Sequence, residues 1–377
     1  MMLKNEAVVG RENTILYQIF PRVGRLSQSF KKKNLKYFLT NHQPNRAYLS
    51  GFTGSNGWVL VGENDQYILT DSRYFEQAQK QAPYFKIVEI NKPLEQFWPS
   101  FESKLDGKVG FESHVLTHQT LEKLKSCSKT LSFVPTVNLV ENLRSFKDSV
   151  EISLIKKSAE IADKAFISLL KLLKLGQTEK EVAWLLEKIM RDLGAERVAW
   201  HPLVVASGPN SSMAHHEPDN KIIKYKEILL LDFGAVVGNY HSDMTRVVFM
   251  GKPRAEQARV YQAVLEAQEK AKEKIKHHAQ SQKIDQAARE QIQNYGLPVY
   301  QHGLSHGIGL EVHELPRVSI NSTDILNEGN VISVEPGVYI PGWGGIRIED
   351  LVLVTKSGYE DLTKSPKNIQ DVTVKVL

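Results

Sequence analysis

The sequence predicts a mixed α/β protein, α+β in its second half, that folds as two domains. With 377 residues, the chain is too long for one typical hydrophobic core. Short β-rich and helical segments alternate up to about residue 145, where longer amphipathic helices begin. The strands of the C-terminal part carry acidic residues at matching positions. We therefore expect an N-terminal domain over residues 1–145 and a C-terminal domain over residues 146–377.

Short elements in the N-terminal part indicate a compact α/β domain. The glycine-rich stretch at residues 51–57 lacks the Gly-Lys-Ser/Thr ending of a phosphate-binding loop, so we interpret it as a turn between strands. Segments rich in β-branched and aromatic residues predict strands, and amphipathic segments predict helices. The predicted strands cover residues 36–39, 58–61, 67–70 and 85–89, and the predicted helices cover residues 73–81 and 121–126.

Long helices are predicted in the C-terminal part. Apolar residues at helical spacing over residues 152–165 predict a first helix that stops near Gly176. Thr178 and Glu181 have the spacing of a capping box, which predicts that a second helix begins there. Two further helices are predicted over residues 255–276 and 284–295.

Two predicted hairpins in the C-terminal part resemble each other. The first joins residues 227–234 to 244–250, and the second joins residues 331–340 to 345–354. In each hairpin an acid follows an apolar strand, as in Leu-Leu-Asp-Phe-Gly and Ser-Val-Glu-Pro-Gly, and the returning strand carries another acid. This repetition suggests that the hairpins present paired carboxylates to one cleft.

Four carboxylates and one imidazole in this region are candidate metal ligands. Any one of the carboxylates alone would be explained better by an ion pair or a turn cap. As a set, these mostly oxygen donors suit two close divalent cations better than a lone structural zinc ion. The five residues are Asp232, Asp243, His306, Glu335 and Glu349.

Further histidines lie beside these acids in the sequence. His302, His306 and His313 are separated by glycines that allow close backbone approach, which core packing explains poorly. Their spacing does not match the His-Glu-x-x-His pattern of a helical zinc site. We interpret them as one ligand and two neighbours that act on substrate, although a structural role stays open for each. His215 and His216 end a polar loop that is either exposed or a wall of the cleft.

Composition excludes several classes of protein. The net charge of +5 is spread over the chain without a long basic stripe, so we expect no nucleic-acid partner. The single cysteine, Cys127, forms no internal disulfide, which fits a reducing compartment. The longest apolar stretch, around residues 228–237, is too short to span a bilayer, and the first twenty residues do not form a secretory signal. We expect a cytoplasmic protein that does not bind membranes.

These motifs together resemble the pita-bread metallopeptidases, the family of methionine aminopeptidase, aminopeptidase P and prolidase. The N-terminal part is similar to the creatinase/prolidase-type domain, through Tyr-Leu-Ser-Gly-Phe-Thr-Gly-Ser at 48–55 and Leu-Thr-Asp-Ser-Arg-Tyr-Phe at 69–75. Methionine aminopeptidases lack such a domain. The catalytic-domain motifs are Leu-Leu-Asp-Phe-Gly-Ala at 230–235, Ser-Asp-Met-Thr-Arg at 242–246, Ser-His-Gly-Ile-Gly-Leu-Glu-Val-His-Glu at 305–314, Val-Glu-Pro-Gly-Val-Tyr at 334–339 and Gly-Ile-Arg-Ile-Glu-Asp at 345–350.

The resemblance implies a site for two divalent metal ions. Asp232 would chelate the first ion, His306 would bind the second, Asp243 and Glu349 would bridge them, and Glu335 would complete the set. Two such ions about 4 Å apart lower the pKa of a shared water and stabilise a tetrahedral oxyanion. Carboxylate ligands favour manganese, although cobalt, iron or zinc could occupy the same residues.

Roles for the remaining site residues follow from the same resemblance. Glu335 would accept a proton from the attacking water and pass it toward the leaving nitrogen. His215 and His313 would polarise the scissile carbonyl. His302 and Arg347 would line the cleft, and Arg347 would orient a bridging carboxylate. The chain departs from the family at His216, where a tyrosine often follows the catalytic histidine.

The resemblance implies a peptidase that cleaves before proline, in peptides with proline as their second residue. We favour an Xaa-Pro aminopeptidase on the Gly-Phe-Thr-Gly-Ser segment. The alternative is an Xaa-Pro dipeptidase, in which Arg317 could hold the terminal carboxylate or could be an ordinary surface residue. A non-catalytic binding protein or a metal-free amidinohydrolase fits less well, because all five ligand positions are filled. The family further implies a homodimer or larger homo-oligomer.

Overall fold

A computed structural model describes residues 18–375 of the chain. These residues form two compact units, and the chain passes from the first to the second between Arg144 and Ser145. No helix in residues 18–375 combines the length and apolar character that crossing a bilayer requires.

The first unit is built around one mixed sheet of six strands. The strand order is β4-β3-β2-β1-β5-β6, with antiparallel pairing of β1 to β2 and β2 to β3 and parallel pairing elsewhere. Its strands are β1 (Tyr37–Thr40), β2 (Trp58–Gly62), β3 (Gln66–Thr70), β4 (Lys86–Glu89), β5 (Gly107–Glu112) and β6 (Leu131–Thr136). Its helices are α1 (18–31), α2 (Gln43–Ser50), α3 (Phe75–Gln81), α4 (Leu94–Glu102), α5 (His118–Cys127) and α6 (Leu139–Arg144).

Strands β5 and β6 were not predicted, and their composition explains why. Strand β5 contains Gly107 and Gly110, and β6 contains Pro135, residues that lower the preference for a strand. The proline is tolerated because β6 is an edge strand of the sheet. The predicted helix at residues 73–81 is present as a short 3-10 turn followed by α3.

The second unit contains four long helices and several short sheets. Its main sheets have the orders β20-β12-β9-β8 and β14-β13-β15-β18-β19. The helices are α7 (Ser149–Leu170), α8 (Glu179–Asp192), α9 (Ala255–Lys272) and α10 (Ser281–Asn294). The strands are β7 (Arg197–Val198), β8 (Val204–Ser207), β9 (Ile228–Phe233), β10 (Ala235–Val237), β11 (Tyr240–His241), β12 (Met244–Met250), β13 (Ser305–Gly307), β14 (Glu314–Val318), β15 (Val331–Val334), β16 (Gly337–Ile340), β17 (Gly344–Arg347), β18 (Asp350–Val354), β19 (Tyr359–Asp361) and β20 (Thr373–Val374).

Helix boundaries in the second unit follow local capping. Asp148 begins α7 with a capping box that includes Glu151, and the predicted capping box of Thr178 and Glu181 begins α8. Helix α7 ends at Leu170, before the predicted stop at Gly176. Helices α7 to α10 all contribute buried apolar side chains to one core with strands β9 and β12.

Both predicted hairpins are present, and the structure divides their strands at the acidic residues. In the first hairpin, β9 pairs with β12, and the connection contains the small β10–β11 pair. In the second hairpin, β15 pairs with β18 and β16 pairs with β17, so that Glu335 lies between β15 and β16. Glu349 lies between β17 and β18 on the returning strand. These interruptions place the carboxylates at strand ends, where their side chains can converge.

Candidate metal centre

All five predicted ligands lie in or next to the strands of the second unit. Asp232 lies in β9 opposite Thr245 of β12, and Asp243 immediately precedes β12. His306 is the central residue of β13, which pairs with β15 just before Glu335. Close packing supports this arrangement at Gly234, where a Cβ atom would lie 1.9 Å from the carbonyl oxygen of Ser242.

Side chains from distant parts of the chain meet at this point. Ligand atoms of Asp243, His306 and Glu349 all lie within 4.8 Å of one another. The Nε2 atom of His306 is 3.6 Å from Oδ2 of Asp243 and 3.3 Å from Oε1 of Glu335. Asp232 joins the same cluster, because its charge contributes to the raised pKa values of Asp243 and Glu349. The structure therefore brings all five candidate ligands together.

Three carboxylate oxygens in this cluster are buried and accept no hydrogen bond from residues 18–375. They are Oδ1 of Asp232, Oδ1 of Asp243 and Oε1 of Glu349. Leaving such acceptors unsatisfied in a buried site is costly, and carboxylate groups are typical ligands of divalent cations. The ligand atoms of this site therefore fit the two divalent ions that the family resemblance implies.

Electrostatics of the cluster lead to the same conclusion. Burial raises the pKa of Asp243 well above its ordinary value, and the charges of Glu349 and Asp232 raise it further. Burial and the charges of Glu335 and Asp232 raise the pKa of Glu349 in the same way. Like charges at such distances oppose ionisation, whereas bound cations would favour it. The carboxylates are therefore arranged for cations that neutralise them.

Glu335 differs from the other carboxylates because it contacts an imidazole. Burial alone would raise its pKa, but the hydrogen bond and charge of His306 lower the pKa of Glu335 to about 2. Its Oε1 atom also accepts a hydrogen bond from the Ser333 hydroxyl at 3.3 Å. The imidazole of His306 therefore keeps Glu335 ionised.

Arg347 connects two of the candidate ligands. Its Nη2 atom donates to Oδ2 of Asp232 at 2.6 Å, and its Nε atom donates to the Thr245 hydroxyl at 3.0 Å. That hydroxyl donates in turn to Oε2 of Glu349 at 2.7 Å. Arg347 thus contacts Asp232 directly and contacts Glu349, one of the predicted bridging residues, through Thr245.

His302 lies beside the cluster and contacts it through a tyrosine. Its Nδ1 atom is 2.8 Å from the carbonyl oxygen of Gly303, so Nδ1 carries the proton and Nε2 accepts. The Tyr339 hydroxyl lies 3.1 Å from this Nε2 and accepts a hydrogen bond from Arg347 at 2.8 Å. Burial lowers the pKa of His302, which is consistent with a neutral ring.

His313 and His215 lie on the open side of the centre. The rings of His313 and His306 meet edge to face with their centroids 4.4 Å apart. Burial lowers the pKa of His313, and the charges of His306, His215 and Arg317 lower it further, which places all three near its ring. His215 and His313 are both exposed, so their rings are accessible to a ligand.

Sequence reasoning missed two hydroxyl groups of the site, those of Thr245 and Tyr339. Both residues belong to motifs that carry the family resemblance, Ser-Asp-Met-Thr-Arg and Val-Glu-Pro-Gly-Val-Tyr. The motifs signal that these segments matter. They do not indicate which side chain in each segment reaches Arg347.

Two family models match the chain. The model of metallopeptidase family M24 matches residues 153–356, and the creatinase/prolidase N-terminal domain matches residues 22–146. The first match contains all the candidate ligands and covers more than half of the chain.

Relatives with curated sequences or solved structures match nearly the whole chain. An Xaa-Pro dipeptidase from Pyrococcus horikoshii is 35% identical and covers 92% of this chain and 98% of its own. The structure of an Xaa-Pro dipeptidase from Bacillus anthracis has a TM-score of 0.90 at 36% identity, covering 94% of this chain and 99% of its own. An X-Pro aminopeptidase structure from Thermotoga maritima has a TM-score of 0.83 at 36% identity, covering 89% and 97% of the two chains.

The fold and the assembled carboxylates agree with these matches, and the pita-bread architecture predicted for the C-terminal part is confirmed. The chain belongs to metallopeptidase family M24 and carries the creatinase/prolidase type of N-terminal domain.

Proposed function

We propose that this metallopeptidase is an Xaa-Pro dipeptidase, which hydrolyses the bond before proline in dipeptides. The observation that carries this proposal is the position of Arg317 beside the candidate metal centre. A dipeptidase must recognise the free carboxylate of the proline residue, and an unpaired guanidinium is suited to that task.

Arg317 lies opposite His306 in the β13–β14 pair, and directly opposed residues extend to the same face of a sheet. Its charge is one of the smaller causes that lower the pKa of His313, after burial and the charge of His306. It is exposed and forms no ion pair with an acidic residue in the part of the chain that the structure describes. Arg317 is therefore free to bind an anionic group of a substrate held at His313.

Relatives support a dipeptidase more than the aminopeptidase that the sequence analysis favours. Xaa-Pro dipeptidases from Bacillus anthracis and two Pyrococcus species are 34–36% identical to this chain, and the Bacillus anthracis structure has a TM-score of 0.90, against 0.83 for the aminopeptidase structure. The Gly-Phe-Thr-Gly-Ser segment lies in the first compact unit, whereas all the candidate metal ligands lie in the second. We therefore replace the aminopeptidase with the dipeptidase as the leading proposal.

Asp232, Asp243, His306, Glu335 and Glu349 would hold two divalent ions, and manganese is the ion that we propose. When bound, such ions supply Lewis-acid polarisation and make a coordinated water more acidic. The assignment of these ligands to the two ions follows the family resemblance given above. The unsatisfied oxygens of Asp232, Asp243 and Glu349 support it.

The protein's own groups would carry the proton and the developing charge. Glu335 would take a proton from the attacking water and deliver it to the proline nitrogen, which is the role that the family resemblance implies. That nitrogen has no hydrogen of its own and leaves as an amine only after protonation. His313 and His215 would donate to the carbonyl oxygen as negative charge develops on it.

The dipeptidase and the aminopeptidase differ in whether the enzyme requires a free carboxylate on the proline residue of its substrate. We expect manganese-loaded protein to hydrolyse an Xaa-Pro dipeptide and to cleave the tripeptide Arg-Pro-Pro poorly. The variant Arg317→Met should raise KM for the dipeptide roughly 10- to 100-fold, the effect of losing one charge-assisted contact. The same variant should leave KM unchanged for the Xaa-Pro amide, which has no carboxylate.

Efficient cleavage of Arg-Pro-Pro by the wild-type protein would return the assignment to an aminopeptidase. Equal changes in KM for the dipeptide and the amide in Arg317→Met would show that Arg317 does not recognise the carboxylate.

The oligomeric state is a separate part of the proposal. Light scattering should give a homodimer or a larger homo-oligomer.

A further inference from the structure

The loop that carries His215 is anchored on two sides, and one anchor lies outside the candidate metal centre. We call residues 207–219 the 207–219 loop. It begins at Ser207, the last residue of β8, and apart from a short 3-10 helix at Gly208–Ser212 the rest of it has no regular secondary structure. His215 is exposed in this loop, while the side chain of the next residue, His216, is only 9% exposed.

The first anchor joins the loop to β17. The backbone N–H of Gly345 donates to the Ser211 hydroxyl at 2.7 Å, and Arg347 donates to the carbonyl oxygen of Ala214 at 3.3 Å. The loop approaches β17 so closely that a Cβ atom at Gly345 would lie 2.0 Å from the carbonyl oxygen of Ser211. This anchor holds the residue before His215.

The second anchor is Glu179, the first residue of α8, whose side chain is fully buried. Its Oε1 atom accepts hydrogen bonds from the backbone N–H of Ser207 at 2.6 Å and from the Ser207 hydroxyl at 2.8 Å. Its Oε2 atom is 2.7 Å from Nε2 of His216 and accepts from the backbone N–H of Asp219 at 3.3 Å. The side-chain amide of Asn210 contacts both oxygens. One carboxylate therefore binds the loop at its start, middle and end.

Glu179, His216 and Asp219 lie close enough to form a possible cation site, with ligand atoms within 4.8 Å of one another. The hydrogen bonds argue against a cation there. Both oxygens of Glu179 already accept from donors, and two of these donors are backbone N–H groups. A cation would displace them and leave buried donors unsatisfied. The cluster is therefore a hydrogen-bonded anchor.

We propose that Glu179 and His216 are positioning residues, which fix the 207–219 loop so that His215 faces the candidate metal centre. Since a carboxylate only accepts, His216 donates from Nε2 to Glu179. His215 is thus held between Ala214, bound by Arg347, and His216, bound by Glu179. The inference rests on the proposed function, in which His215 acts on the scissile carbonyl.

Two substitutions of His216 isolate the hydrogen bond to Glu179. His216→Leu removes the donor and keeps a side chain of similar volume. His216→Gln supplies a side-chain amide that can donate to the same carboxylate. For manganese-loaded protein and an Xaa-Pro dipeptide, kcat should fall about 10- to 100-fold in His216→Leu, and His216→Gln should recover most of it. KM should change little, because His215 is assigned to charge that develops in the transition state.

Leu186→Ala is the matched control for damage to α8. Leu186 is fully buried in the same helix, and none of the anchor's hydrogen bonds involves its side chain. Its truncation should lower the melting temperature, because it leaves a cavity. The kcat of the folded protein should stay at the wild-type value. A purely structural role for His216 would give the same pattern in His216→Leu.

Hydrogen exchange of the metal-free protein provides a readout that needs no activity. Backbone amides of the 207–219 loop should exchange faster in His216→Leu than in the wild type, and His216→Gln should remain close to the wild type. Wild-type kcat in His216→Leu, or equal losses in the Leu and Gln variants, would overturn the inference. If the wild type hydrolyses no Xaa-Pro peptide, the proposed function fails, and unchanged exchange in His216→Leu would then overturn the anchor as well.

Discussion

Arg347 is the residue that holds two candidate ligands in fixed relation to each other. Its guanidinium is almost fully buried, 3% exposed, and it donates to Asp232 while also reaching the Thr245 hydroxyl that bonds to Glu349. Groups that orient metal ligands in this way contribute strongly to metal affinity. Asp232 and Glu349 lie far apart in the sequence, yet the planar side chain of Arg347 orients both carboxylates.

Replacing Arg347 should therefore weaken metal binding. We expect Arg347→Met to raise the manganese dissociation constant roughly 10- to 100-fold, because Asp232 and Thr245 lose the donors that orient them. Isothermal titration calorimetry of the metal-free protein with manganese measures this dissociation constant. The control is Arg317→Met, another loss of an arginine, which should bind manganese as the wild type does. Wild-type affinity in Arg347→Met would show that the carboxylates are oriented without it.

Much of the residue-scale site could be predicted, because carboxylates after apolar strands and histidines between glycines are unusual in sequence. The roles of Asp232, Asp243, His306 and Glu349 as ligands stay predictions until metal binding is measured. Contacts of neutral groups could not be predicted. Thr245 and Glu349 are joined by one hydroxyl across 104 positions of the chain, and no local pattern encodes such a contact.

At the scale of elements, hydrophobic patterning was sufficient to predict the paired strands that carry the acids. The breaks in these strands were not predicted, although Pro336 and Gly337, which disfavour a strand, directly follow Glu335. No proline or glycine lies next to Glu349. The interruption arises from tertiary contacts, since the backbone N–H of Glu349 donates to the carbonyl oxygen of Thr245 in β12. Register between distant strands therefore decided where each acid would lie.

A second group of elements, in the first unit, meets around a buried carboxylate. Glu112 ends β5, and it accepts hydrogen bonds from Thr40 of β1 and Asn45 of α2. Burial, with a smaller contribution from the charge of Glu141, raises its pKa from 4.5 to about 7, although the hydrogen bonds from Thr40 and Asn45 lower it. Asn45 also donates to Glu141 at 2.7 Å, which joins α6 to the same group. The folded protein thus favours the protonated form of Glu112.

Stability of the first unit should therefore depend on pH. A raised pKa means that the folded state binds the proton more tightly than the unfolded state. The contribution is fully present below about pH 4.5 and is lost as pH rises through about 7. We expect Glu112→Gln to remove this dependence and to gain roughly 1–3 kcal/mol relative to wild type at pH 8. Urea unfolding at pH 5 and pH 8 measures the difference.

The exposed residue Glu122 provides the control for that experiment. Its side chain is 53% exposed in α5 and pairs only with a nearby lysine among the contacts that the structure describes. Glu122→Gln should leave the difference between pH 5 and pH 8 as in the wild type. A wild-type pH dependence in Glu112→Gln would mean that another group is responsible.

For the whole molecule, the sequence indicates two domains because its element lengths and motifs change near residue 145. The structure contains two compact units that divide at residues 144 and 145. That residues 146–377 fold as an independent catalytic domain stays a prediction, which separate expression of that segment tests. Metal binding is expected to stabilise the second unit, where all five candidate ligands lie.

Removal of metal should destabilise the protein through repulsion among the clustered carboxylates. With manganese at 100 times its dissociation constant, one site adds about 2.7 kcal/mol to the free energy of unfolding. We expect a higher melting temperature with manganese than with a chelator. The double variant Asp243→Asn with Glu349→Gln should melt above metal-free wild type and should not respond to manganese. A wild-type melting temperature independent of metal would refute this coupling.

The five candidate ligands are proposed to form a dinuclear centre that hydrolyses Xaa-Pro dipeptides. Activity measured during stepwise addition of manganese to metal-free protein tests this proposal. We predict that the chelated protein is inactive and that dipeptide hydrolysis reaches its plateau at about two manganese ions per chain. Full activity in the presence of chelator, or a plateau at one ion per chain, would contradict it.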